Sequence, residues 1–324
     1  MKFASLFTGM GGADIGAIQA GLTPIWGIEI NPAIADLAQE NFPSHKILKG
    51  DVGNFDYSKL ERPDWLHASP PCINASRAKN GQETGTDVYL ADGVVSAIET
   101  LNPDYFSLEN VQGYLDYKSF SIILNCLFRL DYRYDIKVLD CAQYGVPQSR
   151  KRLFLVAYRK GFRLLTDIPL APVVSWKEAI ADLIPTLKAT NLTGWQKTAI
   201  QSRFRCDQSA SNQVNDFNKN WPDMVIQRSG ARRKDGVPNN TIRLTDEPMF
   251  TVKAMSGTQR PSVKQASIVI SGQAYEADPH CLARWQTIPD SYQFSGNLIL
   301  DTMAIGNAVP PLMLQKIITS TLEN

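Results

Sequence analysis

Short apolar runs alternate with amphipathic stretches through the first half of the chain. Lys2–Phe7 reads as a buried strand, broken by Thr8-Gly9-Met10-Gly11-Gly12 before a helix opens at Ala13–Ala20. Further strands are predicted at Pro24–Glu29, Asp64–Ala68, Tyr105–Glu109, Ile136–Asp140 and Arg152–Val156, with helices between them at Pro32–Asn41, Val88–Thr100 and Ser119–Leu130. Strands alternating with helices predict an open, mostly parallel α/β sheet, in which a ligand site lies outside the carboxyl ends of the strands. Beyond about residue 175 the alternation stops. Residues 186–275, rich in Asn, Gln, Ser, Thr and Arg, read as a loop-rich second domain, and a last helix is predicted at Leu312–Leu322 after a turn at Val309-Pro310-Pro311. The sequence contains no internal repeat.

The length of 324 residues agrees with two domains at about 150 residues each, or with one large domain carrying an insertion. With 44% hydrophobic and 20% charged residues, disorder and low-complexity architectures are excluded. No apolar run reaches the roughly 18 residues a membrane span needs. The N-terminal stretch carries one Lys, Asp14 and a glycine cluster, a poor secretory signal, so a cytosolic protein is expected. Five cysteines without a CxxC pair, beside three histidines, support neither a disulfide framework nor a metal site.

Charge changes the picture only by segment. Basic and acidic residues number 12 and 18 over 1–150, 8 and 3 over 151–200, 11 and 6 over 201–264, and 2 and 5 over 265–324. A near-neutral chain with a basic middle suits a polyanion that touches one face.

Two stretches carry candidate chemistry. Gly9-Met10-Gly11-Gly12 departs from GxGxxG because Asp14 stands where the third glycine would be, but Glu29 follows Gly9 by twenty residues at a strand end, where a carboxylate can bind a ribose diol. Asp51 could accept from an adenine amino group. A nucleoside cofactor is expected, of a kind these residues leave open. Ser69-Pro70-Pro71-Cys72 then sets a cysteine just past a strand, its approach stiffened by two prolines and followed by a polar loop, Ile73–Tyr89. A thiol needs nearby positive charge to act as a nucleophile, and Arg150 and Arg152 are candidates.

Phe7-Thr8-Gly9-Met10-Gly11-Gly12, Pro70-Pro71-Cys72, Glu109-Asn110-Val111, Gln148-Ser149-Arg150-Lys151-Arg152, Arg284-Trp285-Gln286-Thr287-Ile288-Pro289-Asp290 and Gly306-Asn307-Ala308-Val309-Pro310-Pro311 occur in that order. Together they resemble the DNA cytosine-5 methyltransferase family along almost the whole chain. Arg243–Pro248 with Thr251-Val252 resembles a segment of the family's target-recognition domains. The resemblance implies a Rossmann-like S-adenosylmethionine-dependent sheet, formed by residues 1–175 and 300–324, and a smaller, loop-rich target-recognition domain at 176–299.

It further implies a cofactor pocket at Phe7, Gly9, Gly11, Gly12, Glu29, Ile30, Asp51, Val52, Pro71, Leu90, Asn307 and Val309, with Ile30 at a position where the family often has tryptophan. Cys72 would add to C6 of cytosine, Glu109 would act as the acid at N3, and Arg152 with Arg150 would hold O2. The family's usual Pro-Cys-Gln-x-Phe-Ser is altered: Ile73, Asn74 and Ala75 follow Cys72, and only Ser76 matches. Ser76, Arg228, Arg232, Arg233, Arg243 and Thr251 are the implied DNA contacts. The expected activity is methyl transfer to a specific double-stranded sequence by a monomer acting on the nucleoid, with no metal, no membrane and a cognate restriction endonuclease as a partner without stable contact. A tRNA methyltransferase and a non-catalytic DNA-binding homologue are the alternatives.

Overall fold

The computed structural model describes residues 1–71, 83–159, 165, 168–204, 221–227, 242–254 and 266–323. Seven strands, β1 (Lys2–Leu6), β2 (Thr23–Glu29), β3 (Lys46–Lys49), β4 (Trp65–Ala68), β5 (Tyr105–Asn110), β6 (Arg133–Asp140) and β7 (Lys151–Tyr158), form one sheet in the order β3-β2-β1-β4-β5-β7-β6. All run in parallel except β7, which is antiparallel to β5 and β6. Strand order reverses between β1 and β4, which places the crevice of an open α/β sheet at their carboxyl ends.

Burial on both faces explains the apolar runs in the sequence. Alternate residues divide between two cores. Phe3 and Trp65 pack with helices α1 (Gly12–Gln19) and α8 (Pro311–Leu322) on one face. Ala4, Leu6 and Leu66 pack with α3 (Gly85–Leu101) and α4 (Lys118–Arg129) on the other. Gly16 brings α1 close to α8: a Cβ there would lie 2.6 Å from the Pro311 carbonyl. Helix α2 (Pro32–Asn41) is started by Asn31, whose side chain accepts from the amides of Ala33 and Ile34.

The second half departs from the expected loop-rich segment. Strands β8 (Ala189–Thr190), β9 (Met224–Gln227), β10 (Ile242–Leu244), β11 (Ala266–Ile270) and β12 (Gln273–Glu276) form an antiparallel sheet in the order β10-β9-β11-β12-β8. Met224, Ile226 and Val269 pack with Ile200 of α5 (Gly194–Phe204), while Val225 and Ile268 turn the opposite way, toward the buried Trp176 and Trp285. Runs of two to five residues are too short for periodicity to tell strand from loop. Helices α6 (Pro279–Trp285) and α7 (Leu298–Asn307), which the hydrophobic pattern also left unread, share the core of Trp176 and Trp285.

A polar seam joins the two sheets. The Arg150 guanidinium, 2% exposed, donates to the carbonyls of Val252 (3.1 Å), Gly306 (3.2 Å) and Ala308 (3.3 Å). Gln148 accepts from the Val252 amide and donates to the Trp285 carbonyl and to Gln286 Oε1, and Gln286 in turn donates to the carbonyls of Ile305 and Ala308. Only glycine fits at 306, because a Cβ would lie 2.2 Å from the Ala254 amide nitrogen.

His67 on β4 is fully buried. Its Nδ1 shares a hydrogen bond with Ser107 Oγ, which accepts from Trp65 Nε1, both at 2.8 Å. Burial lowers its pKa to about 3, so the ring folds neutral.

Two predictions follow from these buried groups. Arg150→Met should destabilise the protein by about 3 kcal/mol by leaving carbonyls without donors, read as a lower denaturation midpoint; an unchanged midpoint would show the seam to be idle. Between pH 6.5 and about 3 the unfolded chain protonates His67 and the folded one does not. Stability is therefore unaffected by this group above pH 6.5 and falls by about 1.4 kcal/mol per pH unit below it. His67→Gln should flatten that acid limb in pH-dependent unfolding, and an identical slope would contradict the assignment.

Candidate active site

The loop after β1 is folded by backbone geometry that few residues adopt. Phe7, Gly9 and Gly11 have φ of +58°, +58° and +85°. For a bulky residue such as Phe7 this is a strained conformation that the surroundings must hold. Thr8 donates its amide to the Ile28 carbonyl, and beneath the loop Ser5 Oγ bonds both Thr8 Oγ1 (2.8 Å) and the buried Asp14 carboxylate (3.1 Å). His45 Nε2 lies 3.4 Å from Asp14 on its other side. Asp14, which breaks the GxGxxG pattern, thus anchors the loop from inside.

The three glycines differ in purpose. A Cβ at Gly11 would strike the Phe42 ring at 2.1 Å and one at Gly12 the Val309 carbonyl at 2.4 Å, so both serve internal packing. At Gly9 the nearest atom among the described residues would be the Phe7 carbonyl oxygen at 4.0 Å, so of the three only Gly9 is free of close contact with them.

Sheet register brings the next candidates to the same edge. Leu6 pairs with Ile28 and with Ala68, so Phe7–Gly9, Glu29–Ile30 and Ser69–Pro71 leave adjacent strands together. Glu29, 9% exposed, accepts from the Gly9 amide through Oε2 (2.9 Å) and from the Asn31 amide through Oε1 (2.8 Å). Each oxygen keeps one acceptor site. Beside it Ile30 is 63% exposed, an apolar surface at the rim. Asp51, on the turn after β3, accepts from the Gly53 amide and from the Tyr89 hydroxyl. Leu90 is half-buried on α3, and Pro71 and Asn307 are exposed. Val52 and Val309 have their side chains buried in the cores under α3 and against α8, so at this edge they present backbone.

The catalytic candidates gather on β5 and β7. Glu109, 6% exposed, has Oε1 3.1 Å from Arg152 Nε, an ion pair lying off the N–H axis. Arg152 also donates to the Lys151 carbonyl at 2.8 Å. Asn110, next on β5, donates to the Pro70 carbonyl at 3.1 Å and so ties this strand end to the Pro-Pro turn. Cys72 and Ser76 lie outside the described residues. Cys126, Cys141 and Cys281 are buried free thiols, and burial pushes Cys141 up to about 12, which leaves it protonated and unreactive.

Arg150 is the main departure from expectation. Two residues before Arg152 on an extended segment, it is 2% exposed and its two terminal nitrogens are spent on the seam's three carbonyls. Burial lowers its pKa to about 9, still charged at neutral pH. Two implied DNA contacts are likewise engaged internally. Thr251 Oγ1 donates to the Ser149 carbonyl at 2.6 Å, and Arg243 pairs with Glu247 at 3.0 Å and lies 4.6 Å over the Phe250 ring. Arg228, Arg232 and Arg233 lie outside the described residues. Gln148 and Gln286 are seam residues that the sequence analysis passed over, although both sit in quoted motifs. Their signal is a glutamine inside an otherwise apolar or cationic stretch.

Residues 1–323 match the family model described as C-5 cytosine-specific DNA methylase. The chain is 26% identical to the Type II methyltransferase M1.HphI of Haemophilus parahaemolyticus over all of its own length and 87% of that protein. It is 29% identical to M.NgoPII of Neisseria gonorrhoeae, over all of its length and 96% of the relative. In fold it is similar to a crystal structure assigned as a prophage-encoded DNA modification methyltransferase from E. coli. That match has a TM-score of 0.68 at 19% identity and covers 99% of this chain and 98% of the other. A glycine loop facing a strand-end carboxylate, a Glu–Arg pair beside an asparagine bonded to Pro70, and a family match over residues 1–323 agree: the chain belongs to the C-5 cytosine-specific DNA methylase family.

Proposed function

We propose that this enzyme methylates C5 of cytosine within a specific sequence of double-stranded DNA, with S-adenosylmethionine as cofactor and through a transient bond between Cys72 and the base. The observation that carries this reading is the pair of buried Glu109 with half-buried Arg152, beside Asn110, which is bonded to the carbonyl of Pro70, two residues before Cys72 in the sequence. The cofactor suits the donor set at the strand ends: Glu29 keeps acceptor sites for a diol, Gly9 is free of close contact with the described residues, Ile30 offers an apolar face, and Asp51 accepts from an amino group. When bound, S-adenosylmethionine supplies an electrophilic methyl group.

The chain's own groups supply the rest. An aromatic cytosine is a poor carbon nucleophile, so Cys72 as thiolate adds to C6 and makes C5 enamine-like. Electron density moves toward N3, where Glu109 holds a proton against the ring, and Arg152 beside it bonds O2. Once C5 carries the methyl group its proton passes to water, the ring double bond re-forms and the Cys72 sulfur leaves as thiolate. None of this is possible inside a stacked duplex, so the cytosine swings out at a cost of about a few kcal/mol, repaid by pocket contacts.

Residues 1–175 with 300–324 bind the cofactor and catalyse in this reading, and 176–299 read the DNA. The basic surplus of 201–264 contacts phosphates, with affinity that falls as salt rises. Relatives named Type II methyltransferases support a role in modifying sites that a cognate restriction endonuclease cuts, performed by a monomer in the cytosol.

Labelled S-adenosylmethionine should mark duplex DNA at cytosine C5 and leave tRNA unmarked; label in tRNA alone would move the substrate to RNA. Cys72→Ala should abolish transfer while DNA binding persists, and Glu109→Gln should lower kcat by about 10²- to 10⁴-fold. Retained turnover in either variant would remove that residue from its role.

A further inference from the structure

Asp51 has an internal partner that no motif of the sequence marks. Its Oδ1 accepts from the Gly53 amide at 2.9 Å and its Oδ2 from the Tyr89 hydroxyl at 3.1 Å. The contact depends on two glycines, one on each element. A Cβ at Gly53 would lie 2.2 Å from Tyr89 Cε1, so the ring rests across this residue, and one at Gly93, a turn further along α3, would lie 2.3 Å from the Val52 carbonyl oxygen. Tyr57 holds the same turn from the core by donating to that carbonyl at 2.7 Å.

The helix that carries Tyr89 is itself fixed. Its first turn is capped by Asp87, which accepts from the Thr84 amide and hydroxyl, and Glu83 just before it accepts from the amides of Lys118 and Ser119 at the start of α4. Tyr89 remains 41% exposed, so its ring stands at the surface beside Asp51 rather than in the core. Desolvation and the bond to Asp51 raise the phenol above its ordinary pKa, so it stays a donor at neutral pH.

A carboxylate has about four acceptor sites, and two donors on opposite oxygens fix its plane while leaving sites free. We propose that Tyr89 is a positioning residue for cofactor selectivity: by donating to Asp51 it holds the carboxylate as an acceptor for an exocyclic amino group, favouring adenine over a 6-oxopurine. This rests on the reading that the cofactor's adenine meets Asp51. A 6-oxopurine presents a carbonyl oxygen to the fixed carboxylate, acceptor against acceptor. Freed of the phenol, the carboxylate can rotate to meet the ring N1–H of such a base, and the distinction fades.

Isothermal titration of the full-length wild type and of Tyr89→Phe with S-adenosylhomocysteine and with its 6-oxo counterpart, S-inosylhomocysteine, tests this without turnover. Wild type should prefer the adenosyl ligand. Tyr89→Phe should bind it about tenfold more weakly while the inosyl affinity holds within about twofold, so that the preference collapses. Equal weakening of both ligands would make Tyr89 a structural prop and overturn the proposal, as would unchanged affinities or a wild type without preference. A wild type that binds neither ligand would overturn the cofactor reading and this inference with it. A melting temperature for Tyr89→Phe equal to wild type is expected, since only a hydroxyl at a partly exposed position is lost.

Discussion

A charged guanidinium is costly to bury unless its donors are met, and Arg150, near the middle of the chain, spends both terminal nitrogens on three carbonyls of the second half. Val252 belongs to the stretch after β10, and Gly306 and Ala308 to the end of α7. Those segments are thereby held at one place, the start of β7 in the large sheet. The rest of the site depends on it. Arg152 lies two residues along from Arg150, Glu109 faces Arg152 from the next strand, and Asn307 is carried between the two carbonyls that Arg150 grips. Removing any one member of such a network strands the buried groups it had bonded, so the bonds of the seam support one another.

The cofactor edge follows the same logic on a smaller scale. Phe7 is kept in a left-handed conformation because Thr8 is bonded to Ile28 on one side and to Ser5 on the other, and Ser5 is in turn bonded to Asp14. Glu29 is oriented by two backbone amides before any ligand arrives, one of them from Gly9 itself. Loop and carboxylate therefore hold each other, and orientation fixed in advance spares a ligand that ordering cost. At the far end of the same edge, the Asp51 carboxylate is set by Gly53 and Tyr89 in the same manner.

Six strands of the large sheet were legible as apolar runs, Lys2–Leu6 and Trp65–Ala68 among them, whereas the four-residue edge strand Lys46–Lys49, with a lysine at each end, was not. The small sheet was not, since strands such as Ala189–Thr190 and Ile242–Leu244 are shorter than any period they could display. At the site, residues that act through exposed side chains or a strand-end position, such as Glu29, Ile30 and Glu109, could be placed from motifs. Arg150, Thr251 and Val309 could not. Their partners or surroundings are backbone carbonyls and core packing, which residue identity does not announce. Tyr89 escaped for a related reason, because its place depends on glycines at 53 and 93 whose value appears only when α3 meets the turn after β3.

The central claim is that the thiol of Cys72 bonds to a cytosine that has left its duplex. Duplex DNA carrying 5-fluorocytosine, whose substituent cannot leave as a proton, would stall the reaction at the covalent stage. Incubation with S-adenosylmethionine followed by peptide mapping should then find the DNA joined to the peptide bearing Cys72. An adduct at another residue, or none from a preparation that methylates ordinary DNA, would contradict the account.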